Sequence, residues 1–84
     1  MSYELRILKR VQKQLADLPA GDYEHVRDAI RALGNNPRPP GCQKLVSRDG
    51  WRIRAGSYRV IFEIDDRNRV VTVIAVGHRR DVYT

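Results

Sequence analysis

Arginine recurs at alternate positions in one short stretch of the chain. Arg52 and Arg54 are separated by a single residue, and Arg59 follows in the next apolar run. Because successive side chains of a β-strand point to opposite faces, Arg52 and Arg54 share one face, and antiparallel pairing brings Arg59 within their reach. The planar guanidinium group matches the geometry of phosphate oxygens. The spacing therefore predicts a phosphate-binding surface; the alternative is that these arginines only solubilise an exposed sheet.

A second group of polar side chains follows the last apolar run, near the C-terminus. Arg79 and Arg80 add two cations, and His78 is of the residue type that most often transfers protons in catalysis. Tyr83 offers an aromatic ring on which a nucleobase could stack, worth about 1–3 kcal/mol per base. The alternatives are a strand-end histidine bonded to backbone and a tyrosine that packs on the edge of the sheet.

Three strand-like segments must position these side chains. They cover residues 51–54, 57–64 and 70–76. In the first, Trp51 and Ile53 alternate with the arginines, and the second segment alternates apolar and charged residues in the same way. This alternation predicts a sheet with one apolar core face and one charged, open face.

Two amphipathic helices precede these strands. A first short strand at 3–7 leads into apolar residues at helical spacing, which predict a helix that ends before Pro19. Asp22 is expected to be the N-cap of the second helix and Gly34 its C-cap. Residues 43–46 are a candidate short strand. The order β-α-α-β-β-β predicts the α+β class, with two layers in which a small antiparallel or mixed sheet carries both N-terminal helices on one face.

Length and charge limit what this chain can be. The 84 residues suffice for one domain, 1–84, with one modest core. The formal net charge of +6 predicts an anionic partner. Part of this charge lies on the outer face of the first helix, at Lys9, Arg10 and Lys13. These three residues are either additional RNA contacts or a solvated face.

The residue types argue against several other classes of protein. Cys42 is the only cysteine, so an intrachain disulfide is impossible, and we expect no metal site and no cofactor. The chain begins without the apolar region of a signal peptide, and its longest apolar run, 70–76, is too short to span a bilayer. We therefore expect a soluble cytoplasmic protein with no membrane partner.

Three motifs carry a resemblance to a known family. They are Asn-Pro-Arg-Pro-Pro-Gly at 36–41 leading to Lys-Leu at 44–45, Tyr-Arg-Val-Ile-Phe at 58–62, and Val-Gly-His-Arg-Arg-Asp-Val-Tyr at 76–83. In this order and at this length, they resemble the toxins of the RelE/ParE superfamily of toxin–antitoxin systems. The resemblance covers the chain almost from end to end.

The resemblance implies an activity and a set of site residues. In the RelE branch the toxin enters the ribosomal A site and cleaves mRNA, with the 2′-hydroxyl of one nucleotide attacking its own 3′-phosphate. The family's basic residues of the second strand fall on Arg52 and Arg54, and its phosphate-binding arginine falls on Arg59. Its arginine after the final strand falls on Arg79, and its base-stacking tyrosine falls on Tyr83.

One departure from the family affects the proton transfers. The family's best-studied members have lysine on the second strand, whereas Arg52 and Arg54 stay protonated near neutral pH and cannot act as a base. His78 is the first substitute for this role. Glu63, on the same strand face as Arg59, is the second, although it could instead form an ion pair with one of the arginines.

The resemblance also implies partners. These are a RelB-like antitoxin, which covers the arginines or displaces the C-terminal tail, the ribosome and mRNA, and DNA only through the antitoxin complex. Three alternatives remain open: a ParE-like inhibitor of DNA gyrase, an RNA-binding module that cleaves nothing, and a toxin without nuclease activity that acts with its antitoxin in a repressor complex.

Overall fold

Five strands and two helices make up the computed structural model, which describes residues 2–46 and 49–78. The elements are β1 (Glu4–Ile7), α1 (Lys9–Ala16), α2 (Ala20–Leu33), β2 (Gln43–Lys44), β3 (Trp51–Ala55), β4 (Tyr58–Asp65) and β5 (Val70–His78). The sheet order is β1-β5-β4-β3-β2, with β1 parallel to β5 and every other pair antiparallel. The predicted α+β class with a mixed sheet is confirmed, and the candidate short strand at 43–46 is present as β2, which gives five strands among the described residues.

The helices cover one face of this sheet and form the core with it. Apolar residues at helical spacing on α1 and α2 meet the alternate apolar residues of β3, β4 and β5. The buried cluster consists of Val11, Leu15, Val26, Ile30, Leu33, Ile53, Ala55, Val60, Phe62, Val71, Val73 and Val76. The alternation in the sequence therefore identified the core face of β3 and β4 correctly.

Tight turns set the register of the long strands. Ala55 pairs with Tyr58 across the two-residue loop 56–57, in which Gly56 has φ +63. A positive φ at the first loop residue suits glycine and matches the twist of a hairpin. At the next turn, the Asp65 carboxylate accepts hydrogen bonds from the backbone N–H and the side-chain amide of Asn68, which lower the pKa of Asp65.

The start of α2 differs from the prediction. The helix begins at Ala20 with Pro19 as N-cap, and the Tyr23 N–H donates to the Pro19 carbonyl at 2.8 Å. The expectation that Asp22 caps the helix is wrong, because the restricted φ of proline already sets the chain at the helix entrance. Asp22 lies in the first turn instead, and Gly34 is the C-cap as predicted.

A β-bulge in β5 changes which residues face the helices. Ile61 pairs with Ala75, but the next residue of β4, Phe62, pairs with Val73, so Ile74 is an extra residue in β5. A bulge inserts one residue and thereby reverses the alternation beyond it. Residues of β5 before the bulge face the core at odd positions, whereas after the bulge they face it at even positions.

Polar side chains of α1 bond to the backbone at this bulge. Arg10 donates through Nε and Nη2 to the Ile74 carbonyl, at 3.1 and 2.9 Å. The Val76 N–H donates to Gln14 Oε1 at 3.1 Å. Arg10 is exposed, which agrees with a solvated face, and its guanidinium group also bonds to the backbone of the bulge.

Candidate nucleic-acid interface

The register of β3 and β4 brings three arginines onto one face. Arg54 pairs directly with Arg59, and Arg52 pairs with Ile61. Paired residues of an antiparallel ladder project to the same side, and here that side is opposite the core residues Ile53 and Val60. We call Arg52, Arg54 and Arg59 together the arginine surface. It lies on the sheet face away from the helices.

Two of these arginines are close neighbours of like charge. Ala55–Tyr58 is the closing pair of the hairpin, so Arg54 and Arg59 form the next, non-hydrogen-bonded pair, in which Cα atoms typically lie about 4.5 Å apart. Arg54 is exposed and Arg59 is half-buried. Like charges directly opposite one another weaken a sheet. An anion bound between them would convert this repulsion into attraction.

Arg52 is oriented by a neighbour on β2. Its Nη2 donates to Gln43 Oε1, and the two residues are ladder partners. Its Nη1 is buried and has no hydrogen-bond partner among residues 2–46 and 49–78. A buried donor without a partner costs about 1–3 kcal/mol. The unmatched donor therefore marks a place where a bound acceptor would stabilise the protein.

The arginine surface is bordered by small residues on its β5 side. Gly77 pairs with Arg59 and Ala75 pairs with Ile61, so the strand next to the arginines presents only small side chains. Ile61 itself is fully buried although it lies on this face. Ile61 therefore offers no surface to a ligand, and only the small residues Ala75 and Gly77 border the arginines on this side.

His78 lies on the other side of the sheet. It pairs with Tyr58, and the two rings meet edge to face with centroids 5.8 Å apart. The Tyr58 hydroxyl donates to the Asp22 carboxylate of α2 at 3.4 Å, and burial and this carboxylate raise the pKa of Tyr58. The bulge in β5 places His78 with Tyr58, because it reverses the alternation after Ile74. His78 therefore does not join the arginine surface.

Glu63 lies on the arginine face but at a distance from the cations. It is four residues from Arg59 along β4, which is roughly 13 Å at the rise of a strand, and it pairs with Thr72. It borders a cavity of about 320 Å³ that Arg6 and Asn68 also line. The predicted contacts Arg79, Arg80 and Tyr83 lie outside the described residues.

A groove that sequence reasoning missed runs beside the arginine surface. It has a volume of about 510 Å³ and lies at the lateral edge of the sheet. Its lining residues are Ala29, Ala32, Pro39, Pro40, Gly41, Gln43, Arg52, Ile53 and Arg54. We call it the lateral groove. The paired prolines were a signal for it, since they keep the chain out of the ladder until β2 begins at Gln43. The distance between α2 and the edge of the sheet could not be read from the sequence.

The loop that walls this groove is held by an ion pair. Arg38 donates through Nη1 and Nη2 to both carboxylate oxygens of Asp66, at 3.1 and 2.9 Å, and the Tyr3 hydroxyl donates to Asp66 at 2.6 Å. These two donors lower the pKa of Asp66 to about 2. The Arg38 guanidinium also lies 4.9 Å from the ring centre of Trp51. We call this arrangement the Arg38 clamp; no pattern in the sequence predicted it.

Other kinds of site find no support in the part of the chain that is described. No three His, Cys, Asp or Glu side chains among residues 2–46 and 49–78 lie close enough together to hold a metal ion. Neither α1 nor α2 is long and apolar enough to cross a membrane. Cys42 is partly buried, and this burial raises the pKa of its thiol.

Known proteins resemble this chain in sequence. The family described as "ParE toxin of type II toxin-antitoxin system, parDE" matches residues 5–83. The putative toxin RelE1 of Methanocaldococcus jannaschii is 29% identical over 87 residues, covering 99% of this chain and 97% of that protein. Toxin RelG of Mycobacterium tuberculosis is 29% identical over 85 residues, covering 99% of this chain and 98% of that protein.

The fold has a close counterpart among solved structures. The crystal structure of the archaeal RelE–RelB complex from Pyrococcus horikoshii contains a chain that matches with a TM-score of 0.85 and 28% sequence identity. The match covers 98% of this chain and 100% of that one. Sequence and fold therefore agree over the whole length.

Proposed function

This chain belongs to the ParE toxin family of type II toxin–antitoxin systems, within the RelE/ParE superfamily, and from this premise we propose that it is a ribosome-dependent mRNA endonuclease. The observation that carries the proposal is the arginine surface, with Arg54 directly opposite Arg59 and a buried, unmatched donor on Arg52. The relatives that match over nearly their whole length and bear RelE-type names support the same reading.

In the proposed reaction the arginines stabilise charge. The 2′-hydroxyl of one nucleotide gives its proton to water and attacks the 3′-phosphate, and the bond from phosphorus to the 5′-oxygen of the next nucleotide breaks. That oxygen takes a proton from water, so the products are a 2′,3′-cyclic phosphate and a 5′-hydroxyl. Arg54 and Arg59 donate to the phosphate oxygens as negative charge builds there. Arg52 supplies the third cation. Because guanidinium groups stay protonated, none of the three removes the hydroxyl proton. Arg79, Arg80 and Tyr83 are proposed to add RNA contacts from the C-terminal segment.

An antitoxin is the proposed protein partner. The solved relative from Pyrococcus horikoshii is a RelE–RelB complex. We infer that a RelB-like, acidic or amphipathic antitoxin neutralises this chain by covering the arginine surface. Contact with DNA would run through that antitoxin, and the free toxin would act on translating ribosomes in the cytoplasm without a cofactor.

One observation favours a second candidate, inhibition of DNA gyrase. His78 packs against Tyr58 on the helix side, so the described residues place no proton acceptor beside the Arg54–Arg59 pair. The matching family is also described by the name ParE. In this second reading the same cations would bind another anionic surface and no RNA would be cut.

Induction of the chain without its antitoxin separates the two candidates. Protein synthesis is measured by the incorporation of labelled methionine, and DNA synthesis by the incorporation of labelled thymidine. We expect protein synthesis to stop before DNA synthesis. Arg54→Ala should relieve the arrest, whereas Arg67→Ala, which removes the same charge from the exposed β4–β5 turn, should not. If DNA synthesis stops first, the chain is a gyrase inhibitor and the endonuclease proposal fails.

A further inference from the structure

The lateral groove exists because β2 begins late, at Gln43. β2 pairs only with Trp51 and Arg52, while β3 continues to Ala55. Before β2, the chain runs through Pro39, Pro40 and Gly41, where proline lacks an N–H for the ladder and Gly41 has φ +89. The chain therefore joins the sheet only after Gly41. A gap remains between the outer edge of β3, the loop and α2.

One residue of β3 directs its backbone into this gap. Alternate residues of an antiparallel strand form their backbone hydrogen bonds with opposite neighbouring strands. The backbone of Trp51, Ile53 and Ala55 bonds to β4, and that of Arg52 faces β2. The N–H and C=O of Arg54 consequently face the groove. A single donor–acceptor pair is too short an edge for an added strand. It matches the edge of one nucleobase, which also presents adjacent donors and acceptors.

The walls of the groove suit a flat ring. Ala29 and Ala32 of α2 form one side, and Pro39 and Pro40 form another, so the walls consist of small apolar side chains. Gln43 adds an amide whose Oε1 is held by Arg52, which leaves its NH₂ group to donate to a ligand. The volume of about 510 Å³ lies within the roughly 300–1,000 Å³ of small-ligand sites.

The groove and the arginine surface share two side chains. Arg52 and Arg54 line the groove and also belong to the cationic face of the sheet. We propose that the lateral groove binds one unstacked ribonucleoside of single-stranded RNA, with its adjoining phosphate on the arginine surface. This rests on the proposed function, since it assumes an RNA substrate. In this proposal, the groove distinguishes one base from another, which the arginines alone cannot do.

The loop wall is held in place before any ligand arrives. The Arg38 clamp ties the residue preceding Pro39 to the β4–β5 turn, on the far side of the loop from the groove. A wall that is already ordered loses less conformational entropy on binding. The groove is thus a preformed site.

Binding of mononucleotides to the full chain tests the proposal. The four ribonucleoside 5′-monophosphates, inorganic phosphate and an acidic peptide are titrated separately and followed by backbone amide NMR. We expect at least one nucleotide to bind roughly tenfold more tightly than phosphate and to shift the amides of Ala32, Gln43 and Arg54. Equal affinities for phosphate and all four nucleotides, or shifts of these amides by the peptide alone, would overturn the proposal.

Two variants locate the binding in the groove. Ala32→Leu fills it and keeps every arginine, and Ala20→Leu makes the same change at the exposed start of α2. We expect Ala32→Leu to lower nucleotide affinity to about that of phosphate and Ala20→Leu to bind as the wild type does. Gln43→Ala, which adds no bulk, should erase the differences among the four nucleotides. If Ala32→Leu or Gln43→Ala leaves the nucleotide affinities unchanged, the nucleotide does not bind in the lateral groove.

The groove and the endonuclease can fail separately. On a translated message, the wild type and Ala32→Leu are compared by primer extension. Cleavage by both at the same set of sites overturns the groove and leaves the endonuclease standing. Nucleotide binding that is sensitive to Ala32→Leu, without cleavage by the wild type, supports the groove and rejects the endonuclease.

Discussion

At the scale of residues, the Arg54–Arg59 pair places two like charges directly opposite one another in the sheet. Two cations face one another across the ladder, and the ion pairs among the described residues do not include Arg54. A sheet selected only for stability would pair one of them with Glu or Thr at this position. We propose that an RNA phosphate binds between these two cations and turns their mutual repulsion into a shared attraction.

Removal of Arg54 should therefore separate binding from stability. We predict that Arg54→Ala leaves the free energy of unfolding unchanged or raises it by a few tenths of a kcal/mol, since a repulsive pair is lost. RNA binding should weaken, and the slope of log K against log salt should become less steep by about 0.7 per phosphate contact removed. Urea unfolding and binding at several salt concentrations measure both. Arg67→Ala is the control, and an equal change of slope in that variant would contradict the assignment.

The position of His78 makes a second prediction about single residues. A side chain that transfers a proton typically contributes about 10²–10⁴-fold to the rate. Because His78 packs on Tyr58, away from the arginine surface, we expect His78→Gln to slow cleavage less than about tenfold. The measurement is the single-turnover rate on pre-bound ribosomes. A decrease in the cleavage rate of about a hundredfold or more would show that His78 takes part in the proton transfer.

At the scale of elements, the sequence predicted what depends on local pattern. Alternation put Arg52, Arg54 and Arg59 on one face, because a two-residue loop joins β3 to β4 and leaves a single register. It could not place His78, since the bulge at Ile74 reverses the alternation and follows from packing against α1.

The lateral groove and the Arg38 clamp were beyond sequence reasoning for a related reason. The clamp joins Tyr3, Arg38 and Asp66, which lie up to 63 positions apart in the chain. The groove depends on the distance between α2 and the edge of β3. Neither relation leaves a periodic signal, whereas the helices and strands do.

The Arg38 clamp gives a prediction about pH. Arg38 and Tyr3 lower the pKa of Asp66 from 3.8 to about 2 in the folded chain, so its contribution to stability is present above pH 4 and disappears as pH falls through 2. We expect Asp66→Asn to melt below the wild type at pH 7 and the difference to shrink between pH 4 and pH 2. Circular dichroism melts at these pH values measure it. Asp17→Asn is the control, since Asp17 is exposed and the ion pairs among the described residues do not include it. A difference between Asp66→Asn and the wild type that persists at pH 2 would show that the carboxylate charge is not responsible.

At the scale of the whole molecule, the two faces of the sheet have different tasks. One face is covered by α1 and α2 and holds the apolar core. The other carries the arginine surface, with the lateral groove at its edge. A net charge of +6 on 84 residues draws the chain towards anionic partners, and the arranged cations determine which of them it can hold.

Primer extension on a translated message tests the central claim most directly. Purified chain is added to the message with and without ribosomes, and the wild type is compared with Arg59→Ala and Arg67→Ala. We predict cleavage within codons by the wild type and by Arg67→Ala only when ribosomes are present, and a loss of cleavage in Arg59→Ala with its fold intact. Absence of cleavage by the wild type on ribosomes, or full cleavage by Arg59→Ala, would contradict the account.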